Sequence, residues 1–178
     1  MSRQTSIPLA YFITFTCYGT WLHGEKSTSV DRQHNTYGAH FLSANSNRAR
    51  WVKTHMPEEP YFLDDSRRHI VLHSIKNVCA YQKWTLLAAH VRTNHVHVVC
   101  HAITEPEKIM NTFKAYASRE LNKAYLDKDR CHRWTRHGST RYLWNEGNIE
   151  STIHYVIHEQ GSPMAFFENK ERRIRTLT

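Results

Sequence analysis

The stretch Asn94-His95-Val96-His97-Val98-Val99-Cys100 has residue types and spacing that could do chemistry. In an extended strand successive side chains alternate between faces, so His95 and His97 point one way and Val96 and Val98 the other. Two imidazoles side by side on a backbone stiffened by β-branched neighbours are a ready-made pair of metal ligands. Paired histidines also occur simply as residues of a sheet surface. A second stretch, Ile153-His154-Tyr155-Val156-Ile157-His158-Glu159-Gln160, reads as helical and sets a tyrosine within about one turn of further candidate ligands. At about 100° per residue, Tyr155 and Glu159 are neighbours one turn apart, while Ile149, Ile153 and Val156 form the buried stripe. Gln160 points into that stripe unless the last turn unwinds before Gly161. A tyrosine at the edge of a stripe keeps its ring packed while its hydroxyl reaches a cleft. A half-buried structural place is the usual fate of a tyrosine on an amphipathic helix.

Positioning these groups needs a sheet and a helix, and the chain offers β-α-β-β-α-β and a final helix. Residues 9–22 are rich in aromatic and β-branched types, with Phe12, Thr14 and Thr16 on one face and Ile13, Phe15 and Cys17 on the other. Two largely apolar faces suit a central strand, ended by Gly19. A helix is expected from Asp65 to Lys83, capped by Asp64 or Asp65. Trp84–Arg92 and His95–His101 form a hairpin about Thr93-Asn94. Val99 stands where a third alternating histidine would complete a His-triad hydrolase pattern, which argues against that class. Glu105-Pro106 opens a second helix, with Ile109, Phe113, Tyr116 and Ala117 facing inward. Residues 126–139 read as a polar linker, Thr140–Trp144 as the fourth strand, and the last helix runs from about Asn148 to Gly161. The predicted fold class is α+β: a ferredoxin-like βαββαβ antiparallel sheet with helices on one face, plus a C-terminal helix carrying Tyr155.

The chain has 178 residues, which suits one domain with a real core. Between residues 23 and 60 periodicity disappears. This long insertion is expected to be a surface segment packed by its own Tyr37, Phe41 and Trp51, or a flap that touches nucleic acid. Lys and Arg number 24 against 16 Asp and Glu, a formal charge of +8, which points to a polyanionic partner, nucleic acid before membrane. Basic residues interleaved with an aromatic suit single-stranded nucleic acid, and Arg92, Arg133, Trp134, Arg136 and Arg141 are the candidate contacts. Residues 165–178 read as a basic tail. Four scattered cysteines with no close pair fit free thiols in a reducing cytoplasm. No long apolar run or signal pattern is visible, so no membrane partner is expected and the localisation is cytoplasmic, nucleoid-associated.

With these residues together, the chain resembles the HUH (His-hydrophobic-His) superfamily. Within it, the likeness is to the single-tyrosine transposases of small insertion sequences and their REP-associated relatives. The resemblance rests on Asn94-His95-Val96-His97, on Tyr155, and on the opening strand Tyr11-Phe12-Ile13-Thr14-Phe15-Thr16. It covers most of the chain apart from residues 23–60. It implies a metal-dependent single-stranded DNA endonuclease and transposase. His95 and His97 would hold Mg²⁺ or Mn²⁺, Tyr155 would attack phosphorus, and the products would be a 5′-phosphotyrosine and a free 3′-hydroxyl. In the resembled enzymes a Gln or Asn one turn after the tyrosine completes the metal site. Here the matching position is Glu159 with Gln160 beside it, so both stand as candidate ligands. The implied partner is single-stranded DNA bearing a hairpin, and the protein would be a monomer or homodimer. Two other readings stay open: a domesticated single-stranded nucleic-acid-binding protein that does not cut, and a metal phosphoesterase in which Tyr155 is only structural.

Overall fold

A computed structural model describes residues 7–20, 54 and 56–171. Strand β1 (Ala10–Cys17) is followed by helix α1 (Asp65–Gln82), strands β2 (Thr85–Val91) and β3 (His95–His101), helix α2 (Pro106–Lys123), strand β4 (Trp134–Leu143), helix α3 (Glu146–His158) and strand β5 (Ala165–Glu168). The strands form one sheet in the order β4-β1-β3-β2-β5, antiparallel at every pairing. Local chemistry sets the ends of the helices. The Asp64 carboxylate accepts the Arg67 N–H at the start of α1, Pro106 takes the first turn of α2, and the Asn145 side chain accepts the Asn148 N–H below α3.

Helices α1 and α2 cover one face of the sheet, burying Ile13, Phe15, Val96 and Val98 with Ile75, Ile109 and Phe113. Helix α3 covers the other face, where Ile149, Ile153 and Val156 pack on Ala10, Ala88, Val99 and Leu143. The ferredoxin-like order expected from the sequence is present, with α3 as its extra helix. Among the described residues, no helix is long and apolar enough to cross a membrane. All four cysteines are free, and burial pushes the Cys17 and Cys79 thiols up to about 12.

Two boundaries differ from the sequence reading. Strand β4 begins at Trp134, so much of the expected 126–139 linker is strand; it is an exposed edge without apolar alternation. Residues 165–168, expected as part of the tail, pair with β2 as a fifth strand. The insertion reading for residues 23–60 falls largely outside the described residues, as does the tail from residue 172 onward.

Strand β4 lies close against β1 at Gly138, which pairs with Phe15 next to a shift in register. A Cβ on Gly138 would come within 2.4 Å of both the Met110 sulfur and the Thr14 carbonyl oxygen. The buried Lys114 ammonium holds this stretch, donating to the Thr135 and His137 carbonyls at 3.0 and 3.1 Å. Burial brings its pKa down to about 8. Gly138→Ala must displace main chain or Met110, so it should destabilise the fold by about 1–3 kcal/mol. Thermal unfolding should register this as a drop of roughly 2–4 °C per kcal/mol. An alanine variant as stable as the parent would contradict this close approach.

Candidate functional site

Register decides which side chains meet on the α3 face. Thr14 pairs with His97, and His97 in turn pairs with His90 on β2. Thr16 pairs with His95. The two histidines of the motif therefore stand on the face that α3 covers, as period-two spacing predicts, with ring centroids 4.7 Å apart.

Each ring is held from behind. His97 Nδ1 lies 2.8 Å from the Thr14 hydroxyl, which serves either tautomer because it can donate or accept. His95 Nδ1 lies 2.7 Å from Asn94 Oδ1, an acceptor only, so that nitrogen carries the proton. Such anchoring orients imidazoles that bind metals. His97 is 6% exposed. Burial pushes the His95 imidazole down to about 4 and the His97 imidazole, which also feels His95, to about 3. Both rings are thus neutral near pH 7, the state in which an imidazole can donate a lone pair to a cation.

The third group comes from the end of α3. The helix stops at His158, and Gln160 leaves the helical path. Its Oε1 reaches His97 Nε2 at 3.2 Å while its Nε2 donates to the Tyr155 carbonyl at 3.2 Å. The Gln160 side chain also acts on the His95 ring, favouring its protonated form against the larger opposite effect of burial. Glu159 turns outward and accepts from the exposed His154 ring, with Oε1 and Nδ1 3.0 Å apart. The structure therefore brings Gln160, and not Glu159, to the histidines. Among the described residues no three His, Cys, Asp or Glu side chains gather as a metal site. The donor set at this point is two neutral imidazoles and an amide oxygen, a mixed N/O set that suits a divalent cation.

Tyr155 stands beside this cluster. Its ring meets His97 at 5.8 Å and Phe12 at 6.1 Å between centroids, both edge-on, and Phe12 packs on His97 at 5.4 Å. The tyrosine is 40% exposed, so the ring is held on one side and open on the other. Phe12, Thr14, Asn94 and His90 went unassigned in the sequence reading. The signal for Phe12 and Thr14 was their shared strand face; for His90 it was a histidine inside an otherwise apolar strand.

The basic candidates divide. Arg141 lies on the α3 face, its guanidinium 5.9 Å from the Phe12 ring centroid and 3.3 Å from the Thr152 hydroxyl. Arg92 donates to the Ser162 carbonyl beyond α3, and Arg136 is exposed on β4. Arg133 is 5% exposed and donates to Asn122 Oδ1 and to the Leu126 and Asp127 carbonyls. It fastens the turn after α2 by satisfying buried carbonyls there, and so has little surface left to offer a ligand. Trp134 turns its Nε1–H to the Lys114 carbonyl and the Ser118 hydroxyl and packs edge-on against Phe15.

Residues 33–160 match the family described as IS200-like transposases. Among solved structures the chain is similar to a REP-associated tyrosine transposase bound to a REP hairpin. That likeness has 11% identity and a TM-score of 0.47, over 89% of this chain and 71% of that one. It is also similar to a candidate transposase from Deinococcus radiodurans R1, at 10% identity and a TM-score of 0.43, over 88% of this chain and 94% of that one. No curated protein matches the chain.

The neutral histidines make a pH signature. Their folded pKa values lie below the ordinary 6.5, so the unfolded chain takes up protons first as pH falls. Their contribution to stability is complete above pH 6.5 and is lost progressively as pH falls toward about 4 and then 3. Carbon chemical shifts of the two rings should show no protonation above roughly pH 5, and urea midpoints should fall as pH drops from 6.5 toward about 4 and then 3. A ring that titrates near 6.5 would contradict the burial described.

Proposed function

The chain belongs to the IS200-like transposase family, and from that premise we propose that it cleaves and rejoins single-stranded DNA through Tyr155. The observation that carries this reading is convergence: the Tyr155 ring packs against His97, and the Gln160 amide oxygen reaches the same imidazole at Nε2. An exposed nucleophile candidate and three neutral donors then face one small volume.

In this reading His95, His97 and Gln160 hold a divalent cation, Mg²⁺ or Mn²⁺, which when bound polarises the scissile phosphate. Phe12 and His97 both pack against the Tyr155 ring in T-shaped contacts, which limits the orientations the tyrosine can take. The Tyr155 oxygen forms a bond to phosphorus, and the bond from phosphorus to the 3′-oxygen breaks. The phenol proton passes to solvent and the departing 3′-oxygen takes one up, giving a 5′-phosphotyrosine and a 3′-hydroxyl. Another 3′-hydroxyl can reverse the step, since the phosphodiester energy is kept in the tyrosyl ester. In this reading Arg141, which lies beside Phe12, contacts the DNA backbone, with Arg92 and Arg136 as further contacts. A hairpin-bearing strand is the proposed substrate form.

Incubation with end-labelled single-stranded DNA and Mn²⁺ tests the reading. Wild type should form a covalent protein–DNA adduct, and Tyr155→Phe should lose it by at least about a thousandfold. Because the phenylalanine ring still packs on Phe12 and His97, folding and DNA binding should stay within a few-fold. His97→Ala should also lose the adduct, and excess Mn²⁺ should restore part of it. An adduct that persists in Tyr155→Phe would move the nucleophile elsewhere. Free cleaved ends without any adduct would favour a phosphoesterase, and binding without cleavage a recognition protein.

A further inference from the structure

His90 lies on β2, 0% exposed, directly opposite His97 on one side and Phe166 of β5 on the other. Both ring nitrogens have protein partners. Nδ1 is 2.7 Å from the Val156 carbonyl oxygen, which can only accept, so Nδ1 carries the proton. Nε2 then keeps its lone pair and accepts the Met164 main-chain N–H at 3.3 Å, with Arg92 Nη1 a second donor at 3.4 Å. The ring thus ties β2 to the end of α3 and to the segment that enters β5.

The place where it grips α3 is telling. The Glu159 N–H closes the last helical bond, onto the Tyr155 carbonyl. In a continuing helix the next carbonyl, that of Val156, would take the Gln160 N–H. The His90 ring occupies that carbonyl instead. A regular extra residue would aim Gln160 into the stripe formed by Ile149, Ile153 and Val156, away from the histidines. Freed from the helix, Gln160 turns its side chain to His97, and Gly161 follows in the left-handed conformation at φ 78° that reverses the chain.

We infer that His90 is a positioning residue: it ends the tyrosine helix by claiming the Val156 carbonyl and so delivers Gln160 to His95 and His97. The inference rests on the reading above, in which those three side chains hold a divalent cation. It also accounts for a polar ring in a fully buried position. Such a group is costly unless both nitrogens find partners, and here both do. A leucine would fill the space yet leave the Val156 carbonyl open to the Gln160 N–H.

Two substitutions separate the Nδ1 bond to Val156 from the contacts at Nε2. Asparagine places its amide nitrogen near the position of Nδ1 and keeps a donor for Val156. Glutamine places its amide end near Nε2, where its oxygen can meet the Met164 N–H, and loses the donor to Val156. Mn²⁺ binding to DNA-free protein, read by electron paramagnetic resonance, should stay within about threefold of wild type in His90→Asn and weaken roughly 10–100-fold in His90→Gln. Equal affinities, or tighter binding by His90→Gln, would overturn the inference. Nitrogen NMR of the wild type decides the point independently of either variant. His90 should be the Nδ1–H tautomer, with a scalar coupling across the hydrogen bond to the Val156 carbonyl carbon. An Nε2–H tautomer would overturn the inference even if Mn²⁺ binds. A wild type that binds no Mn²⁺ while showing the coupling would sink the metal reading and leave the helix-ending role of His90 in place.

Discussion

The antiparallel register between β1 and β3 is the constraint on which the rest depends. Because side chains alternate, pairing Thr14 with His97 sends His95 and His97 to the α3 face and Val96 and Val98 to the core under α1 and α2. A slip of one residue would exchange the two sets, burying imidazoles among Ile75, Ile109 and Phe113 and exposing valines to α3. The fold cannot tolerate that, so the hydrophobic core itself enforces the placement of the histidines. The same register puts Phe12 one step along the face, where Tyr155 finds an edge to lean on.

Burial has two consequences at this place, one structural and one chemical. It keeps both imidazoles neutral, which costs stability in acid, and it lowers the local dielectric, which strengthens whatever charge is later bound there. The anchors behind the rings, Thr14 and Asn94, are uncharged. The nearest acid on α3, Glu159, is engaged with His154 on the outer side. A site of neutral donors leaves a divalent cation its full charge to face a phosphate, whereas a carboxylate ligand would remove one unit of it.

Much of this was legible from period and residue type alone. The strand-helix order, the shared face of His95 and His97 and the flanking position of Tyr155 all follow from spacings of two and of 3.6. What stayed hidden depends on partners distant in the chain. Gln160 is a candidate ligand in the sequence only if the last turn unwinds before Gly161, and the group that takes the carbonyl there, His90, lies seventy residues earlier in the chain. Trp134–Ser139 looked like linker because an exposed edge strand needs no apolar alternation. Strand β5, only Ala165–Glu168, exists by pairing with β2. Arg133 and Arg141 have the same side chain, and composition could not tell that one caps buried carbonyls while the other lies on the open face beside Phe12.

The central claim is that the end of the tyrosine helix and the histidine pair form one cation site. Anomalous diffraction at the manganese edge, from crystals of the protein grown with Mn²⁺, tests it most directly. One strong peak is expected, with His95 Nε2, His97 Nε2 and Gln160 Oε1 all within roughly 2.0–2.3 Å of the ion. A peak instead between His154 and Glu159 on the outer surface of α3, or none beside His97, would contradict it.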